Sequence, residues 1–392
     1  MPLHHKLRVL IIEHNPLLPD GRRLSDLCGT TDKIEDSVLE LYDDIRFSSH
    51  GLVTCETAAW ERVDEFPRHK ILFRLEAGPS HALDAPTVER LYEKGWYGWW
   101  QNDWFTKEIC PEDVGFSFDY AHLLEEHRIV ERRNNDEFDM ILLVNQDPLY
   151  CFEACMLGRN AYWINGDPIE ADCPLTAIMN VSVSRRDANF ECFGHMMENV
   201  MMHTFTGGTD CFGYREGEWV GMPYEEMNLW QKFILAKRNW DGVTACGNVH
   251  FSPNSTADYD WKNPAPILST WRDWHDHYPN LTGEAELFDP SVYIPKGIGE
   301  PHACRLHHRW WFSCMPHADG RNDDGYSHSW WDYFASLEYA VDVRANDDGT
   351  FTVTYRSGAE KTVCPGDDAV RTVITDEAVT VHADGKSASL PR

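Results

Sequence analysis

The first segment of this sequence that could do chemistry is 190–203, which places polar side chains at helical spacing. Its letters are FECFGHMMENVMMH. At about 100° per residue, one side of such a helix spans an arc of roughly 140° and carries His195, Glu198, Asn199 and His203. Two imidazoles and a carboxylate at this spacing can hold a divalent metal ion. The alternative is the solvated side of an ordinary amphipathic helix.

A second polar segment, 246–261, reads CGNVHFSPNSTADYDW and has little helical or strand character. It brings His250, Asp258 and Asp260 into one loop. Loops of this kind commonly carry binding or catalytic residues. The asparagines and aspartates can instead satisfy the backbone of turns through Asx turns. The concentration of titratable groups favours a functional loop.

A third segment, 306–331, interleaves histidine with tryptophan. It contains His307, His308, His317 and His328 together with two WW pairs. Tryptophan faces beside imidazoles and carboxylates are typical of surfaces that bind sugars or planar ligands. An aromatic core has the same composition, and core packing accounts for most of the 16 tryptophans of a chain this size.

The first two segments together predict a metal-dependent hydrolase of an amide, peptide or related bond, with zinc as the expected ion. His195 and Glu198 have the H-x-x-E spacing of zinc carboxypeptidase-like enzymes, and His250 is the predicted distant ligand. In a second arrangement, Glu198 is the general base and His203 is a ligand. The predicted site therefore lies between the edge of an α/β sheet and the 246–261 loop.

Other residues have supporting roles in this prediction. Asp258 or Asp260 orients an imidazole from outside the ligand set. Arg185 or Arg186, at the end of a predicted strand, grips a substrate carboxylate as a forked donor. No G-x-S-x-G motif supports a nucleophilic serine.

Two alternatives stay open beside the metal hypothesis. A glycoside hydrolase would use paired carboxylates, such as Glu198 with Asp258 or Asp260, and tryptophans as sugar platforms. A glycan- or peptide-binding module would use the same aromatic half without chemistry.

The candidate site residues must be positioned by the helices and strands that the sequence predicts. Strand-like runs alternate with helical periodicity, which predicts an α/β fold with a mostly parallel sheet and flanking helices. The predicted strands of the first half are 7–12, 70–75, 138–144 and 176–184. The predicted helices are 34–45, 86–94, 120–132, a short one holding Cys151 and Cys155, the 190–203 helix, 224–238 and 327–339.

This pattern divides the chain into three predicted parts. Residues 1–206 form the α/β domain, 207–344 an irregular aromatic- and histidine-rich elaboration that completes the site, and 345–392 a small β appendage. Parallel sheets bind ligands beyond the carboxyl ends of their strands, which predicts a crest at 13–15, 145–147 and 185–187. No glycine-rich phosphate loop occurs there, so we expect no nucleotide cofactor.

The charge balance excludes some partners. The 64 acidic residues outnumber the 35 basic ones, and a formal charge of −29 disfavours nucleic acid and anionic lipid. No run reaches the roughly 18 apolar residues of a membrane span. The start shows no signal peptide, so we expect a cytoplasmic protein, or a secreted one if a precursor was trimmed. The 12 cysteines, without a C-x-x-C pair, predict free buried thiols.

Several motifs occur here in one order: F-G-H-x-x-E at 193–198, G-N-V-H-F-x-P-N at 247–254, D-Y-D-W at 258–261, and W-W at 310–311 and 330–331 with P-H between them. In this combination the chain resembles a group of uncharacterised, often secreted bacterial proteins, over most of its length up to residue 340. The resemblance brings no established activity. It implies that the three segments occur together, and it contrasts with the missing signal peptide.

Overall fold

A six-stranded sheet forms the centre of the computed structural model of this chain. The structure describes residues 3–73, 76–82, 84–93, 114–146, 149, 151–206, 222–298 and 300–392. The strands up to residue 182 are β1 His5–His14, β2 Val53–Val63, β3 Arg68–Phe73, β4 Glu76–Ala82, β5 Val114–Phe118, β6 Met140–Asn145, β7 Ala154–Gly158, β8 Ile169–Glu170 and β9 Thr176–Ser182. The central sheet has the order β2-β1-β6-β9-β7-β8, and β3 to β5 form a separate antiparallel sheet.

The central sheet is mostly parallel because its apolar strands are buried on both faces. β1 pairs in parallel with β2 and β6, β6 with β9, and only β7 runs antiparallel to β9. Every residue of β6 is buried. Val9 and Ile11 of β1 face one core, whereas Leu10 and Ile12 face another, as expected for a strand between two layers of helices. The predicted α/β fold is confirmed.

Helices cover both faces of this sheet. The described α-helices are Leu24–Cys28, Ile34–Ser48, Ala85–Glu93, Tyr120–Glu126, Ile129–Asn134, Asn189–Thr206, Leu229–Phe233, Trp271–His277, Glu300–Ser313 and Trp331–Ser336. We call Asn189–Thr206 the central helix, because every residue from 189 to 204 except Cys192 is buried. The alternative interpretation, in which the polar side of this helix is solvated, is therefore wrong, because that side faces the protein interior.

The second half of the chain packs onto the same core as the sheet. The largest apolar cluster joins β1 and the central helix to aromatic residues between 227 and 339. Among the described tryptophans, five are fully buried: Trp230, Trp274, Trp311, Trp330 and Trp331. The boundaries at 206 and 344 stay predictions, and residues from both sides of 206 belong to the same apolar cluster.

Small antiparallel sheets complete the chain. Their strands are β10 Ile267–Ser269, β11 Glu286–Phe288, β12 His317–Arg321, β13 Ser327–Ser329, β14 Ala340–Ala345, β15 Phe351–Tyr355, β16 Glu360–Val363, β17 Arg371–Ile374, β18 Ala378–Ala383 and β19 Lys386–Pro391. β14, β15, β16, β18 and β19 contribute to an apolar core of their own, as expected for the C-terminal β appendage of the predicted fold.

Several predicted helices are wrong. Cys155 lies in the buried strand β7, where its spacing from Cys151 has no helical meaning. Only Leu229–Phe233 of 224–238 is an α-helix, started by an Asn228 side chain that accepts from Gln231 N. Of 327–339, the first residues form β13 and the helix stops at Leu337, whose φ is 50°. The predicted helix 120–132 breaks at Arg128, which also has a φ of 50°.

The helix Glu300–Ser313 was not predicted, because histidine and tryptophan on several of its sides hide the helical period. We call it the clamp helix. Within the described ranges, no helix combines the length and the apolar composition that crossing a lipid bilayer requires. None of the ten described cysteines forms a disulfide, and six of them are buried.

Candidate metal centre

The central helix supplies two of the three groups of the candidate site. It follows β9 directly, through a turn in which the Asn189 side chain accepts from Ser182 N and donates to Ser182 O. Glu191 and His195 lie four residues apart and therefore on the same side of the helix. That side faces the loop containing His250. The carboxyl end of the sheet is thus joined to the site by a short connection, 183–188, which includes the 3-10 helix Arg186–Ala188.

The loop that carries His250 approaches the helix closely. A Cβ atom on Gly194 would lie 2.5 Å from Val249 Cγ2, so any other residue here would force the Val249 side chain or the helix to shift. The side-chain oxygen of Asn248 accepts from the backbone N–H groups of His250 and Phe251, both at 2.9 Å. These hydrogen bonds turn the His250 side chain toward the central helix.

The clamp helix holds the same loop from the other side. Trp311 Nε1, His307 Nε2 and His308 Nε2 lie 2.8, 2.9 and 2.9 Å from the carbonyl oxygens of three consecutive residues, 247, 248 and 249. A carbonyl only accepts, so Trp311 Nε1 and His307 Nε2 donate, and burial lowers the pKa of His307, which keeps it neutral. The His308 ring lies between two carbonyls, since its Nδ1 is also 2.7 Å from Cys304 O, and burial lowers its pKa. His307 and His308 therefore position the loop and are not available as ligands through Nε2.

Three side chains converge at the contact between the central helix and the loop. His195 Nε2 lies 3.2 Å from His250 Nε2, and Glu191 Oε1 lies 4.0 and 3.8 Å from these two atoms. The exposed fractions of the three side chains are 6%, 12% and 11%. All three ligand atoms lie within 4.8 Å of one another. Glu191, His195 and His250 thus form a buried group that can hold a metal ion.

Each imidazole of this group faces a carboxylate with its other nitrogen. Glu198 Oε2 lies 3.6 Å from His195 Nδ1, and Asp258 Oδ1 lies 3.7 Å from His250 Nδ1. Glu198 Oε1 also accepts from Val249 N at 3.1 Å, so this carboxylate ties the loop to the helix. Carboxylates behind metal-binding histidines commonly fix the tautomer that leaves Nε2 free for the ion.

The charge of the site is strongly negative around His195. Burial lowers the pKa of this histidine, but the hydrogen bond with Glu198 and the charges of Glu153, Glu198 and Glu191 outweigh it, so its pKa is raised. Glu153 Oε2 lies 3.8 Å from His195 Nε2 and is half exposed. Clustered carboxylates that favour a cation on an imidazole favour a metal cation at the same position.

Two further groups contact Glu191, His195 and His250, which we call the triad. The Tyr259 hydroxyl lies 3.1 Å from His250 Nε2. Burial and the Glu191 charge raise the pKa of this phenol, so it stays protonated. The Cys304 thiol donates to Glu191 Oε2 at 3.5 Å. Burial and the same carboxylate raise the pKa of Cys304, so it remains a neutral thiol.

A cavity of about 190 Å³ opens beside this group at the carboxyl end of the sheet. Its wall includes Glu153, Glu191 and Tyr259 from the site, and Arg185 from the turn after β9. The other lining residues are Asn145, Gln146, Leu149, Cys151, Asn180, Ser182, Ala188, Asn189 and Cys192. The predicted crest residues at 145–146 and at 185 thus line a cavity next to the triad; residue 147 lies outside the described residues.

The structure brings together some of the predicted site residues and leaves others apart. His195 and His250 meet, and Glu198 and Asp258 stand behind them. His203 does not join the group. It lies two turns further along the central helix, its ring is 4.1 Å from that of Tyr162, and burial lowers its pKa to about 4.

Asp260 has a local role in its loop. Its Oδ2 accepts from the Thr256 backbone and hydroxyl and from Asn263 Nδ2, which matches the Asx-type alternative. The tryptophans of the two WW pairs are buried, so Trp310, Trp311, Trp330 and Trp331 offer no faces to a sugar. As sugar platforms, these four residues are excluded.

Sequence reasoning missed Glu191, Glu153 and Tyr259. Glu191 had a readable signal, because E-x-x-x-H places a carboxylate and an imidazole one helical turn apart. Glu153 and Tyr259 had none, since only the folded chain brings β7 and the 246–261 loop together. Comparison with protein-family models, with curated proteins and with solved structures gave no match. The resemblance to a group of bacterial proteins therefore stays a prediction.

Proposed function

We propose that Glu191, His195 and His250 hold one divalent metal ion, best matched by zinc, and that the chain is a metal-dependent hydrolase of amide or related bonds. The observation that carries this proposal is the 3.2 Å separation of the two Nε2 atoms, each on an imidazole whose Nδ1 faces a carboxylate. With protons on both Nδ1 atoms, two lone pairs face each other, and a cation between them removes the repulsion.

The distances support zinc. Two nitrogens at about 2.0–2.1 Å from a tetrahedral zinc ion lie about 3.3 Å apart, close to the 3.2 Å seen here. Glu191 needs a shift of only a few tenths of an ångström to complete three ligands. Three protein ligands with a fourth position open toward a cavity are typical of catalytic zinc rather than structural zinc.

The surrounding residues support hydrolysis. A zinc ion in this position acts as a Lewis acid and lowers the pKa of bound water to about 7. Glu153, half exposed on the cavity wall, accepts the proton of the attacking water and returns it to the leaving amine. The protonated Tyr259 hydroxyl donates to the oxygen on which negative charge develops. Water adds to the carbonyl carbon, the C–N bond breaks, and an acid and an amine leave.

Metal analysis tests the ligand set. We expect about one zinc per chain in protein reconstituted with zinc and dialysed, and loss of that zinc in His195→Ala, His250→Ala and Glu191→Gln. His203→Ala is the matched control, because it removes an imidazole from the same helix two turns away, and it should retain zinc. Equal zinc content in the parent and in His195→Ala would refute the ligand assignment.

Activity tests the chemistry separately. On a panel of acylated amino acids and peptide amides, zinc-loaded protein should show hydrolysis that a chelator abolishes and zinc restores. Glu153→Gln should lower kcat by about 10²–10⁴ with unchanged zinc content, as expected for loss of a general base. Hydrolysis that persists in fully metal-free protein would contradict the mechanism.

Glycoside hydrolysis remains a second candidate, because Glu153 and Glu191 both line the same cavity. Two carboxylates on one cavity wall are the minimum equipment for that reaction. The earlier pair of Glu198 with Asp258 or Asp260 has no support, since Glu198 is 1% exposed and held by Val249 N. Sugar release that survives a chelator and is lost in Glu153→Gln would favour this candidate.

A further inference from the structure

The cavity beside the triad contains a buried donor that the mechanism above does not use. Gln146 follows β6 directly, lines the cavity and is only 1% exposed. The Thr30 hydroxyl donates to Gln146 Oε1 at 2.6 Å and so fixes the orientation of the amide. Gln146 Nε2 then has no hydrogen-bond partner among the described residues. A buried amide nitrogen left without an acceptor costs free energy that a bound acceptor recovers.

The cavity wall carries positive as well as negative groups, because Glu153 and Glu191 line it together with the start of the central helix. Asn189 and Cys192 of the first turn and Ala188 just before the helix are lining residues. The N-terminus of an 18-residue helix carries partial positive charge and backbone N–H groups without helical partners. Arg185, in the turn just before this helix, adds a full positive charge to the same wall. A donor, a guanidinium and a helix N-terminus favour an anionic acceptor group, provided that a metal ion at the site offsets the charge of Glu153 and Glu191.

We propose that the substrate is a small acylated amino acid whose carboxylate is held by Gln146 Nε2 and Arg185 while its amide carbonyl reaches the Glu191, His195 and His250 group. This inference rests on the proposed function for the reacting end of the substrate. The cavity, at about 190 Å³, is smaller than the roughly 300–1,000 Å³ of pockets for drug-sized ligands. Hydrolysis then yields a carboxylic acid and a free amino acid.

Two probes of equal shape test the carboxylate. N-acetyl-L-alanine carries it, and N-acetyl-L-alaninamide replaces it by a neutral amide. In calorimetric titration of zinc-loaded protein, we expect N-acetyl-L-alanine to bind at least about tenfold more tightly, the usual effect of a hydrogen bond to a charged group. Equal affinities, or no binding of either probe up to about 10 mM, would overturn the inference.

Variants identify the residues that bind the carboxylate of the probe. Gln146→Met should weaken N-acetyl-L-alanine binding by about tenfold without changing the binding of the amide probe. Binding of the amide probe to Gln146→Met is the control for packing, because a structural defect in the cavity would weaken both probes alike. If Gln146→Met weakens the two probes equally, the amide has only a structural role and the proposal fails.

Arg185→Gln keeps the test decisive if the buried Gln146 variant does not fold, because Arg185 is exposed. It should reduce the preference for the carboxylate probe at least about tenfold, and an unchanged preference would overturn the assignment. Zinc content is measured on every sample. A protein that prefers the carboxylate probe but binds no zinc would refute the proposed function alone, whereas zinc binding without that preference would refute this inference alone.

Discussion

Glu198→Gln separates a carboxylate that orients a ligand from one that binds the metal. In the parent protein, Glu198 Oε1 accepts from Val249 N at 3.1 Å and Oε2 faces His195 Nδ1 at 3.6 Å. Glutamine can keep the first contact with its carbonyl oxygen. Its NH₂ group then faces Nδ1, which must become the acceptor, and the imidazole proton moves to Nε2. Nε2 can no longer offer a lone pair without a cost in free energy.

The expected loss of zinc affinity in Glu198→Gln is about 10- to 100-fold, the usual effect of removing a carboxylate behind a metal-binding histidine, or about 1.4–2.7 kcal/mol. Loss of a direct ligand, as in His195→Ala, should be larger. Competition with a chromophoric chelator at fixed pH measures both. Because the variant is nearly isosteric and keeps the Val249 contact, its fold should be retained, which circular dichroism checks.

Asp260→Asn is the control for this experiment. Asp260 lies in the same loop as His250, but in the described contacts its side chain accepts from Thr256 and Asn263 and faces neither imidazole. Its zinc affinity should equal that of the parent. The reasoning is refuted if Glu198→Gln binds zinc as tightly as the parent does, or if Asp260→Asn weakens zinc to the same degree.

Further predictions concern the loop and the response to pH. Trp311→Phe should cost about 1–3 kcal/mol of unfolding free energy more than Trp331→Phe in urea titrations, because both indoles are buried but only Trp311 Nε1 donates to a carbonyl. Gly247→Ala should destabilise by at least about 2 kcal/mol, since Gly247 has a φ of 74° and the added Cβ would lie 2.0 Å from Phe251 O; a soluble variant of unchanged melting temperature would contradict this. The neighbouring carboxylates raise the pKa of His195, so this histidine stabilises the metal-free fold fully below about pH 6.5 and loses this contribution as the pH rises through the raised pKa. Zinc affinity should rise over the same pH interval. In Glu198→Gln, this rise in zinc affinity should occur at lower pH. Burial lowers the pKa of His14 to about 3 and of His203 to about 4. The stability that these neutral histidines contribute is therefore present above the unfolded pKa of about 6.5 and is lost as the pH falls toward 4. Denaturant titrations of the parent and of His14→Gln at several pH values check this loss.

Local pattern predicted the parts of this fold whose burial follows a simple period. β1, β6 and β9 were found because strands buried on both faces are continuous apolar runs. The clamp helix was missed because its neighbours lie on several sides, so no single apolar stripe marks it. Strand β7 was predicted as a helix because two cysteines four residues apart fit a helical period as well as a buried strand.

The candidate site shows the same limit. The meeting of His195 with His250 was predicted from the types of residue in two segments, and the Nε2 separation of 3.2 Å confirms that they converge. The choice of carboxylate was not predictable from spacing alone, because Glu191 and Glu198 both lie about one turn from His195. Only the position of Val249, whose N–H group engages Glu198, leaves Glu191 to face the shared point.

The hydrogen-bond contacts of the clamp helix with three successive carbonyls have a consequence for the order of folding. His250 is 55 residues from its partner imidazole, and the donors that hold its loop come from 59 and 64 residues further along the chain. A nascent or truncated polypeptide that ends before residue 300 cannot assemble this arrangement. An ion bound at the site would therefore report that the chain has folded at least through the clamp helix, Glu300–Ser313.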